Sequence, residues 1–276
     1  MIVRNEIWGL PIAAEMTLLA IASFASVWAY LFWRRGERRM ALLGSVLAIL
    51  LPAGALGILV SELLKPPTAG MLVLPLLNPK ANLSSWMVWG ATGIMLLILL
   101  AALFAAPLMR PLEKIAVWGR SRSAMRAIGM AMSAVGIFVA VYTGLVLAYE
   151  RGIPFWHSAS VPILALFMGM AAGSGVFGIL GRGEVRNWLA AGSALTALTY
   201  AVHLHLSSIG PAAAAFSAAG AASDPTTWTG VVLALFAAVS AWLGKKPGVV
   251  VGGVLAIVAV FLIRLSLLSW GAWDFP

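Results

Sequence analysis

The chain has 276 residues, of which 62% are hydrophobic and only 10% charged, with a formal charge of +9 and no cysteine. A soluble domain of this length carries roughly a quarter charged residues to cover its surface, so a soluble globular fold is excluded. The absence of cysteine excludes disulfides, thiolate ligation of iron–sulfur clusters and cysteine nucleophiles within this chain. The basic residues sit in short connectors between apolar runs, which argues for membrane loops and against nucleic-acid binding.

Taken in order, the apolar runs are long enough to cross about 30 Å of hydrocarbon. No water is available in that layer, so each backbone group must find its partner within its own segment, and a helix achieves this. The runs lack the period-2 alternation of a transmembrane barrel. The pattern predicts an all-α integral membrane protein with eight transmembrane helices, at about 8–33, 40–64, 84–109, 125–149, 158–181, 187–208, 226–244 and 247–270. The first run ends in Trp33-Arg34-Arg35-Gly36-Glu37-Arg38-Arg39 without a small-residue cleavage site, and reads as a retained helix rather than a signal peptide. Gly and Pro punctuate the joins, as in Lys65-Pro66-Pro67, Gly152-Ile153-Pro154 and Lys245-Lys246-Pro247-Gly248. The Ala- and Ser-rich stretch Pro211–Ala222 reads as a loop or a short surface helix.

Lys and Arg counts orient the spans. The connectors after the first, third, fifth and seventh spans hold 13 of them, from Arg34 to Lys246, against 4 on the opposite side, Arg4, Lys65, Lys80 and Arg151. That asymmetry predicts both termini outside the cytoplasm. Tryptophans mark both boundaries: Trp8, Trp86, Trp156, Trp228 and Trp270 at outer ends, and Trp33, Trp118, Trp188 and Trp242 at inner ends.

Ionisable groups inside a membrane are costly and mark function by default. Here they gather in the outer half. Glu15 falls roughly 10 Å below the outer face by helical rise, and Arg264 about 9 Å inside the end of the last span. Glu62, Tyr142, Tyr149, Glu150, His203 and His205 lie at similar depth, and His157 at the outer boundary. A path carrying ions across the bilayer needs polar groups at several depths. A single outward layer fits a reaction within the membrane beside an external partner, and a quinone is the natural reactant. Its carbonyls need a donor such as a Tyr hydroxyl and a proton-exchanging group such as Glu15, and Trp can wall its ring. Some of these residues also have structural explanations. Glu62 and Lys65 read equally as an interfacial pair, and Glu150 with Arg151 as a solvated loop end. His203 and His205 point in different directions on one helix, so each is expected to hydrogen-bond a neighbouring helix rather than share a metal. Arg264 either snorkels outward or pairs with a carboxylate across the bundle. Gly169-Met170-Ala171-Ala172-Gly173 reads as a packing face.

Four stretches carry a family resemblance. They are Trp8-Gly9-Leu10-Pro11-Ile12-Ala13-Ala14-Glu15, Leu63-Leu64-Lys65-Pro66, Ser84-Ser85-Trp86-Met87-Val88-Trp89-Gly90, and Tyr142-Thr143-Gly144 followed by Pro154-Phe155-Trp156-His157 and Pro162. In order and spacing they resemble the polysulfide reductase membrane subunit, or NrfD-like, family. From about Gly210 onward no such motif is found. The resemblance implies two four-helix halves, 1–150 and 151–276, with a quinone pocket in the first. It also implies an anchor without haem that exchanges electrons between membrane menaquinone or ubiquinone and an iron–sulfur subunit, which serves a molybdopterin catalytic subunit on the outer face. Carried over by motif position, it implies that Glu15, Glu62, Trp89 and Tyr142 bind the quinone, with Glu15 and Tyr142 taking part in its chemistry and no metal site. A di-haem anchor would need four axial ligands, and the chain has three His. A transporter or purely structural anchor is the competing reading.

Overall fold

The computed structural model describes residues 2–4, 8–62 and 84–274. The expected turn Leu63-Leu64-Lys65-Pro66 and the outer cation Lys80 lie outside the described residues.

Nine α-helices form among the described residues: α1 (Leu10–Arg34), α2 (Arg38–Ser61), α3 (Trp86–Ala105), α4 (Arg122–Ala148), α5 (Ser160–Ile179), α6 (Arg186–Ser208), α7 (Ala212–Ser223), α8 (Pro225–Leu243) and α9 (Lys246–Ser269). All but α7 are long and apolar enough to span a bilayer. The protein is a multi-pass, all-α membrane protein. Local chemistry sets the ends. Proline enters the first turn of α1, α8 and α9, where its missing N–H costs nothing. Ser121 Oγ accepts from Ala124 N at the start of α4, and Asp224 Oδ1 accepts from Thr226 N at the start of α8. The turns after α1 and α5 contain Gly36 and Gly181 at φ +81° and +70°, a backbone that side chains rarely adopt. The stretch read as loop or short helix is α7. Its 12 residues are too few to span, and its buried face is Ala213, Ala214, Ser217, Ala218 and Ala221.

The helix α1 packs on α2 and α4, and α3 packs on both of these. In the same way α5 packs on α6 and α9, and α8 packs on both. The two sets meet where α5 lies against α1 and α4, and α1 also touches α9. Thus α1 is enclosed by protein, and its buried residues run from Ile12 to Phe32. Lipid is as apolar as leucine, so such contacts depend on close packing by small residues. A Cβ on Gly44 would lie 2.8 Å from the carbonyl oxygen of Ala25, and one on Gly175 would lie 2.8 Å from that of Gly253. Gly169 and Gly173, expected as a packing face, both lie against Phe24 of α1. Across the α1–α5 contact Trp28 Nε1 donates to Ser174 Oγ at 3.0 Å, pairing two buried polar groups.

An element absent from the sequence reading ties the ends together. β1 (Ile2–Arg4) pairs antiparallel with β2 (Ala272–Asp274), with Val3 opposite Trp273. An even number of spans brings both ends to one face, and the short ladder satisfies backbone groups there.

Candidate functional site

At the end of the bundle where α1 begins, α1 to α4 enclose a cavity of about 140 Å³. Its walls come from Trp8, just before α1, and from Ile12, Glu15, Met16 and Leu19, which recur at helical spacing and so share a face of α1. Leu59 and Glu62 close it from the end of α2, Met87 from α3, and Tyr142, Thr143 and Val146 from α4. The lining is mostly hydrocarbon and sulfur, with Glu15, Glu62, Tyr142 and Thr143 as its polar side chains.

Glu15 is 6% exposed, and Tyr142 is 9% exposed. Tyr142 is held in place by α3, because its ring fills the space where a Cβ of Gly90 would lie. Phe138, one turn earlier on α4, stacks against it with centroids 6.4 Å apart. Thr143 donates to the Ala140 carbonyl at 2.9 Å and accepts from Arg264 Nη2 at 3.3 Å. Arg264 belongs to α9 and is 3% exposed, and its Nε has no partner. No ion pair within 4 Å joins it to Glu15 among the described residues. Arg264 therefore turns inward to Thr143 instead of snorkelling outward.

Three of the four sequence-selected residues, Glu15, Glu62 and Tyr142, line this one cavity. Trp89 does not. It is 43% exposed and borders a separate groove with Ser84, Trp86, Phe138 and Tyr149. Residues two apart on a helix point about 200° apart, so Met87, not Trp89, faces the cavity. Glu62 ends α2, where its N–H bonds the carbonyls of Ile58 and Leu59. Its side chain is exposed at the rim, and Lys65, its expected partner, lies outside the described residues.

The motif residues have structural roles around this cavity. Tyr142 and Thr143 supply polar wall, and Gly144 brings α4 against α5, since a Cβ there would lie 2.5 Å from Pro162 Cα. Trp156 is fully buried, stacks on Trp8 at 5.4 Å and donates its Nε1 to the Leu267 carbonyl at 2.8 Å. The connector between α4 and α5 thus braces the cavity wall formed by Trp8. Phe155 lies 4.7 Å from His203, whose Nδ1 shares a 2.9 Å hydrogen bond with Ser160 Oγ of α5. His205 is exposed, so the two histidines do occupy different surroundings.

Sequence reading missed a second polar group, in the later helices. Tyr200 Oη donates to Ser266 Oγ at 2.9 Å, Ser266 meets Thr227 Oγ1 at 2.5 Å, and Trp270 Nε1 donates to Asp224 Oδ2 at 2.7 Å. Arg264 and Ser266 stand two apart on α9, so one faces α4 and the other α6 and α8. The only signal for this in the sequence is the recurrence of hydroxyl and aromatic residues near the ends of these runs.

A family model described as polysulphide reductase, NrfD, matches residues 3–275. The chain belongs to the NrfD family. NrfD proteins are membrane subunits of oxidoreductase complexes, and the match runs through α7 to α9, where short motifs gave no correspondence. No protein of curated function matches the sequence. Within this NrfD chain, the cavity residues Glu15 and Tyr142 and the bracing Trp156 all fall inside the matched range.

Proposed function

We propose that this chain is the quinone-reactive anchor of an oxidoreductase complex. It exchanges electrons between membrane menaquinone or ubiquinone and an iron–sulfur subunit, which in turn serves a molybdopterin catalytic subunit. The observation that carries the reading is the convergence of Glu15 and Tyr142 on an otherwise apolar cavity within the span of the helices. The fit is chemical and spatial. A cavity of about 150 Å³ takes a benzene ring, so about 140 Å³ takes the six-membered quinone ring itself, with its fused ring or substituents and its tail reaching out through the open side. Tyr142 Oη can donate to a quinone oxygen, and Glu15 can accept or return a proton there. Thr143 and Arg264 orient the polar wall behind them. Bound quinone supplies the two-electron chemistry, and the protein supplies position and protons.

The chain contains no cysteine, so the iron–sulfur centres belong to another subunit. The excess of Lys and Arg on the opposite face assigns the end bearing Glu15, and with it both termini, to the outer side. The partner subunits then dock where the cavity lies closest to the surface.

The test is quinone retention by the purified chain, read by native mass spectrometry and extraction, in wild type, Glu15→Gln and Tyr142→Phe. Retained quinone that is lost or weakened in the variants supports the reading. A chain without quinone in every form overturns it and favours a transporter or structural anchor.

A further inference from the structure

The connector from α3 to α4 forms a basic, amphipathic ledge at the membrane boundary, far from the Glu15 cavity in sequence and on the opposite face by topology. It leaves α3 through a short 3-10 turn (Ala106–Leu108) and enters α4 through another (Val117–Arg120). It is firmly built. Arg38 of α2 donates Nε to the Leu108 carbonyl at 3.1 Å and Nη2 to the Pro107 carbonyl at 3.3 Å. Trp118 Nε1 donates to the Leu103 carbonyl at 3.0 Å, and Ala116 is buried beneath the ledge.

Two features of this ledge have no role in the quinone reading. Leu112, Ile115 and Val117 are large apolar residues held outward, Ile115 at 73% exposure and Val117 at 61%. Arg110, Lys114 and Arg120 line an open cleft of about 490 Å³ among them. The one acid of the cleft, Glu113, is engaged by Arg38 at 2.5 Å, so its charge is already matched. Arg110, Lys114 and Arg120 belong to none of the ion pairs found among the described residues.

The ends of two spans fix the ledge at headgroup depth. There, exposed aliphatic side chains enter the acyl boundary while neighbouring cations meet lipid phosphates. A soluble acidic partner would account for the cations and leave Ile115 and Val117 in water. We propose that this cleft binds the phosphate headgroup of an anionic phospholipid, with Arg110, Lys114 and Arg120 holding the phosphate and Leu112, Ile115 and Val117 seated among the acyl chains.

The test is native mass spectrometry of the full chain in detergent, titrated with phosphatidylglycerol and with phosphatidylcholine. Each basic residue near an anionic surface contributes about fivefold in affinity. The combined Arg110→Gln, Lys114→Gln, Arg120→Gln variant is therefore expected to bind phosphatidylglycerol on the order of a hundredfold more weakly, with phosphatidylcholine unchanged. If that variant does not fold, the single Lys114→Gln and Arg120→Gln variants are each expected to lose about fivefold. Paired Arg186→Gln and Lys245→Gln changes on the same face should leave the preference intact. Ile115→Ser with Val117→Ser should weaken lipid binding, and millimolar inorganic phosphate should not displace the lipid. Equal binding of the two lipids, or full binding by the triple variant, overturns the proposal. So does displacement by inorganic phosphate together with indifference to Ile115 and Val117, which would mark a site for soluble anions.

Discussion

The ring of Tyr142 on α4 occupies the volume that a side chain at Gly90 on α3 would need. The approach of α3 to α4 and the position of the cavity hydroxyl are therefore a single packing event. Gly90→Ala is expected to push the ring aside or part the helices, at about 1–3 kcal/mol for overpacking of this kind. Thermal unfolding in detergent checks the stability, and quinone retention checks the displacement of Tyr142. A variant with wild-type melting and wild-type quinone content would show that the ring is not held by Gly90.

Glu15 on α1 and Arg264 on α9 are oppositely ionisable groups, both buried, with no ion pair within 4 Å between them among the described residues. Removing either leaves the other buried with its charge less compensated, whereas removing both leaves none. Glu15→Gln and Arg264→Met are each expected to destabilise the protein. The double variant should be less destabilised than the sum, with a coupling of about 0.5–3 kcal/mol, typical of interacting residues. Unfolding midpoints for the four proteins of the cycle measure it. Additivity within about 0.5 kcal/mol would mean that the two charges are independent.

Met87 faces the cavity, and Trp89 faces a different groove. Met87→Trp should fill part of about 140 Å³ and weaken quinone retention. Trp89→Ala should change it much less. The reverse order of effects would put the ring beside Trp89.

Glu113 lies outside the spans, and the Arg38 side chain that bonds it holds its carboxyl below the ordinary value of 4.5. A carboxylate lowered in the folded protein stabilises fully above its unfolded value, and this contribution is lost as pH falls through the folded value. The tie from α2 to the α3–α4 ledge should therefore be present at neutral pH and fade only in acid. Because both partners are about half exposed, added salt should also weaken it. Melting temperatures of wild type and Glu113→Gln should differ slightly at pH 7 and converge below the ordinary carboxylate range. A difference that grows in acid would contradict this sign.

Much of the architecture was legible in the sequence because the bilayer is a severe solvent. Span number and approximate ends follow from the length of apolar runs, and each connector shows itself by Gly, Pro or charge. Glu15 and Tyr142 stood out for the same reason, since few polar side chains are tolerated at that depth. Their convergence was expected only through the family resemblance. It depends on α1 lying against α4, and that in turn requires small residues such as Gly136, where a Cβ would lie 2.6 Å from the Ser23 carbonyl oxygen.

The sequence by itself therefore determined that this is an eight-span helical membrane protein whose polar chemistry lies toward one face. That result follows from composition and from the energetic cost of unpaired polar groups in hydrocarbon. Tertiary structure alone decided which side chains share a cavity. It exchanged Met87 for Trp89, turned Arg264 inward to Thr143, and set Trp156 behind Trp8. The physical reason is rotational. A helix in lipid can expose any apolar face at nearly equal cost, so its rotation is set by contacts with its neighbours, which one-dimensional hydropathy does not record.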